Sequence, residues 1–136
     1  MGLDQYAFQR NKNTKLNGEY TEEDRDNIKY EWRKHARLQV FMRDLHRQKN
    51  PDAKMGIYNL GMNGLDIVEL TSEDLTALQK AIETDYYEYF ADDGFFWGQQ
   101  WQEEMAKEYK DQDIEFVKWA KEEIENGNKV FYNSSW

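Results

Sequence analysis

The sequence predicts an α+β fold: a small antiparallel or mixed sheet of three to four strands with about three amphipathic helices packed on it. Three observations lead there. Long stretches repeat apolar residues at three- and four-residue steps, the helical period. Short alternating segments stand at both ends of the chain, and two short apolar runs flank a Gly/Asn cluster in its middle.

Taken in order, "LDQYAFQR" (3–10) alternates, with Leu3, Gln5 and Ala7 on one side and Tyr6 and Phe8 on the other, and reads as a strand. "NKNTKLNG" (11–18) is polar and ends in Gly, so it reads as a loop. Thr21 is an N-cap candidate, with Glu22, Glu23 and Asp24 in the first turn, where the helix dipole favours negative charge. Ile28, Trp32, His35, Leu38, Met42 and Leu45 then follow at helical steps. They predict one amphipathic helix from about 22 to 48, closed by Arg47, Lys49 and "NPD" (50–52).

"MGIYNL" (55–60) and "LDIVEL" (65–70) around "GMNG" predict a hairpin. Thr71 or Ser72 caps a second helix, "EDLTALQKAIETDYYEYF", whose stripe is Leu75, Leu78, Ile82, Tyr86 and Tyr89 or Phe90. Gly94 and Gly98 break it. A third helix is predicted over about 99–126, with Trp101, Met105, Tyr109, Phe116, Ala120 and Ile124 on one face, interrupted by Gln112. "NGN" (126–128) is a C-cap signal, and "KVFYNSSW" closes the chain as a strand. The order β-α-β-β-α-α-β suits helices on one face of the sheet. No repeat, low-complexity tract or composition shift divides residues 1–136, which read as a single domain.

Composition excludes several chemistries. With no cysteine there is no disulfide, thiolate nucleophile or thiolate metal site, and two histidines, His35 and His46, cannot build a multi-histidine zinc site. No apolar run approaches the roughly 20 residues of a bilayer span, and no signal-peptide pattern opens the chain. Tyr6 stands where a myristoylation motif places Ser or Thr. The chain reads as soluble and intracellular. Its net charge of −9 disfavours direct binding to nucleic acid or a membrane surface and favours a basic protein partner. No cofactor is implied.

"MGLD" at the start, "WRK" at 32–34, "GFFWG" at 94–98 and the terminal "YNSSW" occur in this order in a family of small phage-encoded proteins, which the chain resembles over nearly its whole length. The resemblance implies a viral origin and a place in the cytoplasm of an infected bacterium; it implies no defined activity. Members of that family often carry the label phosphoglycerate kinase. This chain has no Gly-rich phosphate loop joined to a strand and helix, and 136 residues cannot build a two-lobed kinase. After "WRK" the family tends to place an Asn and a His where this chain has Ala36 and Gln39, so contacts made by those side chains do not transfer.

Four stretches are candidates for function. In "EWRKHAR", Arg33, Lys34 and Arg37 form a basic patch in an acidic chain, with Arg33 and Arg37 four apart on the predicted helix. The plainer account is that they pair with acids on neighbouring helices. His35 falls on the apolar stripe beside Trp32, as a hydrogen-bonded core histidine does. "DQDIE" (111–115) alternates three carboxylates but lacks the Gly of a calcium loop and lies in a helical pattern, so it reads as a solvated helix face with no metal role. Asp92 and Asp93 are better placed for such a role, since a turn can point both inward, and the plainer account is that aspartates before Gly94 form the turn for backbone reasons.

In "DDGFFWGQQW" (92–101), Phe95, Phe96 and Trp97 are consecutive and cannot all face one way. One or two must point away from the core or into a second cluster with Trp136 and Tyr132; the segment either plugs the core or forms a partly exposed patch rimmed by Gln99 and Gln100. Trp119 and Ile114 lie off the third helix's main stripe, which suggests a second apolar contact, with a partner or with another copy of the chain as a homodimer. No Ser-His-Asp or paired-carboxylate arrangement follows from spacing.

Two functions compete. The first is a non-enzymatic phage accessory protein that engages a host protein with a basic surface. It would bind through Glu103, Glu104, Glu108 and Asp111 and be anchored by Phe95, Phe96, Trp97 and Trp119. The second is a small-ligand pocket, with or without catalysis, in which Trp32 or Trp97 stacks on a nucleotide base and Arg33, Lys34 or Arg37 takes phosphate.

Overall fold

The computed structural model describes residues 4–11, 21–33, 35–49, 67–83 and 106–135. Their elements run β1 (Asp4–Arg10), α1 (Glu22–Asp26), β2 (Ile28–Arg33), α2 (Ala36–Lys49), β3 (Ile67–Leu70), α3 (Ser72–Glu83), α4 (Ala106–Glu125) and β4 (Lys129–Ser135). The four strands form one antiparallel sheet in the order β2-β1-β4-β3, with the first and last strands of the chain paired at its centre. The α+β class stands.

The single helix expected over 22–48 is corrected to helix, strand, helix. Ile28 and Trp32 are four apart, a spacing that fits a helical stripe and an alternating strand equally. Tyr30 between them, with Lys29, Glu31 and Arg33 at the odd positions, makes "IKYEWR" an alternating strand of β-branched and aromatic residues. The free edge of β1 supplies its ladder, Gln5 opposite Trp32 and Ala7 opposite Tyr30, with a bulge that skips Lys29 before Phe8 meets Ile28. Asn27 ends α1, its backbone N–H donating to Asp24 O and its side chain to Glu23 O.

Local signals set the other boundaries. Thr21 and Asp24 exchange side-chain-to-backbone hydrogen bonds in a capping box, and Thr71 and Asp74 do the same at the start of α3. Gly127, at φ 89°, closes α4: its N–H donates to Ile124 O and that of Asn128 to Glu123 O, a Schellman motif. Of the expected hairpin, only Ile67–Leu70 lies within the described residues, and there it pairs with β4. The "DDGFFWGQQW" segment, Phe95, Phe96 and Trp97 included, lies outside them, as do Lys34, Trp101, Glu103, Glu104 and Trp136.

Helices α2, α3 and α4 cover one face. Their Leu38, Met42, Leu75, Leu78, Ile82, Phe116 and Ala120 bury against Ala7, Trp32, Val68, Val130 and Tyr132 of the strands. Each large side chain so buried contributes about 2 kcal/mol. The expectation that all helices share this face is corrected by α1. On the opposite face Phe8 and Phe131 stack 5.6 Å apart, and the Arg10 guanidinium lies 4.7 Å from the Phe131 ring centre. Arg10 reaches Asp24 of α1 through two hydrogen bonds, Nε to Oδ1 at 2.9 Å and Nη2 to Oδ2 at 2.7 Å. Burial alone would raise the Asp24 pKa, but the Arg10 and Thr21 hydrogen bonds outweigh it and hold the carboxyl below its usual range.

Candidate functional site

Helix α4 carries two faces of opposite character. Its inner stripe is Tyr109, Gln112, Asp113, Phe116 and Ala120, at the three- and four-residue steps that share a helix side. These side chains clamp α4 to the open edge of β2. Tyr109 donates its hydroxyl to Arg33 O and Gln112 its amide to Glu31 O, each at 2.6 Å, so donors from the helix cap outward carbonyls of an edge strand. Gln112, which interrupts the apolar stripe in the sequence, interrupts it to make this bond.

Asp113 ties the same two elements from below. Its carboxyl accepts from Trp32 Nε1 at 2.8 Å and is hydrogen-bonded to His35 Nε2 at 2.7 Å, and Asp113 and His35 are 0% exposed. Tyr109 lies flat on the His35 ring, 4.1 Å between centres and 3° from parallel. A second buried chain continues from His35. Its backbone N–H donates to Gln5 Oε1, the Gln5 amide donates to His35 O and to the Tyr132 hydroxyl, and Tyr132 donates to Gln39 Oε1 at 2.6 Å. Burial pushes the Tyr132 phenol far above its ordinary pKa, so it acts as a neutral donor. His35 is thus a hydrogen-bonded core histidine. The solvated-face reading of "DQDIE" holds for the exposed Asp111 and Glu115 and is corrected for Asp113. The signal was there: Asp113 lies four residues after Tyr109 and four before Val117, on the stripe that faces inward.

The outer face is acidic. Glu108, Asp111, Glu115, Glu122 and Glu125 are exposed along it against two exposed lysines, Lys107 and Lys118. Ile114, 44% exposed, is the one large hydrophobic side chain left in water among the described residues. Of the residues the sequence nominates for a partner, Glu108 and Asp111 therefore stand together on this face. Trp119 lies off the inner stripe, as its spacing indicates, and is partly exposed. It is half-buried against Tyr30, 5.5 Å between ring centres, and Phe116, 6.2 Å.

The basic cluster is dispersed. Arg33 belongs to β2 and Arg37 to α2, so the shared helix face expected for them does not exist. Arg33 points into solvent, 73% exposed, and among the described residues its ion pairing is a long contact of 4.0 Å to Asp4. Trp32, 4% exposed, packs edge-on against Phe116 at 5.1 Å. A base-stacking role would need that ring at the surface. Among the described residues no three potential metal ligands converge, and no helix is long and apolar enough to cross a membrane. Compared with protein-family models, with curated proteins and with solved structures, the chain has no match.

Proposed function

We propose that the chain is a phage accessory protein that acts by binding, and that the outer face of α4 meets a basic surface on a host protein. The observation that carries this reading is the composition of that face: five exposed carboxylates around an exposed Ile114, on a helix whose other side is clamped to β2. Carboxylates spread from Glu108 to Glu125, nearly five helical turns, steer a basic partner at long range, while an apolar side chain among them adds contact area once the surfaces meet. The clamp matters because a surface presented on a rigid element loses little conformational entropy on association.

Reversing Glu103, Glu104, Glu108 and Asp111 to Lys tests the proposal. Wild-type and reversed proteins are immobilised and exposed to nuclease-treated host lysate at low and high salt. The expected outcome is one host protein held by the wild type at low salt, with capture reduced about tenfold or more by charge reversal or by high salt. Retention that neither change affects would overturn the electrostatic reading.

A further inference from the structure

Beside the acidic face, where α4 meets β2, Tyr30 and Trp119 form a half-buried ring pair, 5.5 Å between centres and tilted by 55°. The pair is fixed from below: Phe116 touches Tyr30 edge-on at 5.6 Å and Trp119 at 6.2 Å, and Trp32 stacks on Tyr30 at 6.2 Å. Glu115 and Glu122 lie about one helical turn before and two-thirds of a turn to a turn after Trp119, on the same side of α4. Both are exposed, and neither is ion-paired among the described residues. Lys118 adds one ammonium on the intervening turn, which leaves the two carboxylates in excess.

We infer that this Tyr30–Trp119 pair, with Glu115 and Glu122 at its sides, receives an arginine side chain of the partner protein. A guanidinium is planar and weakly hydrated, so it stacks on an indole or phenol face while its edge N–H groups reach carboxylates. Burial first, and then the negative charges of Glu115 and Glu122, raise the pKa of the Tyr30 hydroxyl, so both carboxylates act at the Tyr30 end of the pair. An anion is repelled there, and an ammonium gains the charge attraction with less of the stacking. The inference rests on the reading of the outer face as the partner surface, and it adds the identity of the side chain that surface takes.

The probes are two pentapeptides with blocked ends, one all-arginine and one all-lysine, titrated into the full chain at low salt while the indole N–H of Trp119 is followed by NMR. The wild type is expected to prefer the arginine peptide roughly two- to fivefold, the size of an exposed cation–π contact, and to shift the Trp119 signal. That preference disappears in Glu115→Gln/Glu122→Gln, whose changes are at the surface and leave the core packing alone. It persists in Glu108→Gln/Asp111→Gln. Trp119→Leu, checked for folding by its thermal melt, loses it as well. Binding of both peptides with equal affinity, or a preference that survives Glu115→Gln/Glu122→Gln, refutes the arginine site while leaving the acidic-face reading intact. If neither peptide binds, both readings are refuted.

Discussion

Asp113→Ala is the substitution whose cost follows most directly from the geometry. The carboxyl of Asp113 is the acceptor for Trp32 Nε1 at 2.8 Å and the partner of His35 Nε2 at 2.7 Å, in a place where Asp113 and His35 are sealed from water and Trp32 nearly so. Removing it strands two buried polar groups at once. Each costs roughly 1–3 kcal/mol, so the sum is about 2–6 kcal/mol, a large share of the ~5–15 kcal/mol that stabilises a typical domain. With a urea slope of about 2 kcal/mol/M, the unfolding midpoint falls by roughly 1–3 M. Far-UV circular dichroism is the suitable probe, because Trp32 fluorescence would itself change. The decisive measurement is the double-mutant cycle with Trp32→Phe, which deletes one donor and keeps a ring. If the hydrogen bond carries the effect, Asp113→Ala costs roughly 1–3 kcal/mol less in the Trp32→Phe background than alone. Strict additivity of the two changes would refute the reasoning, as would an Asp113→Ala penalty below about 1 kcal/mol.

Two further outcomes are expected. The Asp24 carboxyl has a folded pKa below its unfolded value of about 3.9, so its contribution is fully present above that value and is lost as pH falls through the lower folded one. Urea midpoints of wild type and Asp24→Asn should therefore differ at pH ~6 and converge towards pH ~3; an unchanged gap across that range would show that Asp24 acts through packing alone. Gly127→Ala places a Cβ at φ 89° just past α4 and should cost about 1–2 kcal/mol in a thermal or urea melt, while Asn126→Ala, at the preceding C-cap position, costs less. Equal costs at the two positions would show that the backbone there relaxes.

Much of the fold was legible because its signals are local. Thr21 and Thr71 are capping residues three positions before an acidic partner, and Gly127 follows the last turn of α4; each works within a single turn of backbone. Leu75, Leu78 and Ile82 form the buried side of α3 as their spacing predicts. The candidate site was legible in part. Glu108 and Asp111 are on the exposed face, whereas the contact of Trp119 with Tyr30 could not be read from spacing because it depends on β2 being a strand.

What the chain determined by itself is the α+β class, the strands at its two ends and the helical character of α2, α3 and α4, all of which follow from apolar spacing and caps. Only the tertiary structure decided the rest. "IKYEWR" satisfies two periodicities, and it is a strand because β1 offers an edge for it. Asp113 shares its pattern with the solvated Asp111 and Glu115, and it is buried because Trp32 and His35, some eighty residues earlier, present an indole N–H and an imidazole nitrogen beneath α4. Spacing along a chain reports which side of an element is apolar; it carries no information about which distant element will lie against that side. Polar groups whose partners are remote in sequence therefore become readable only when the chain is folded.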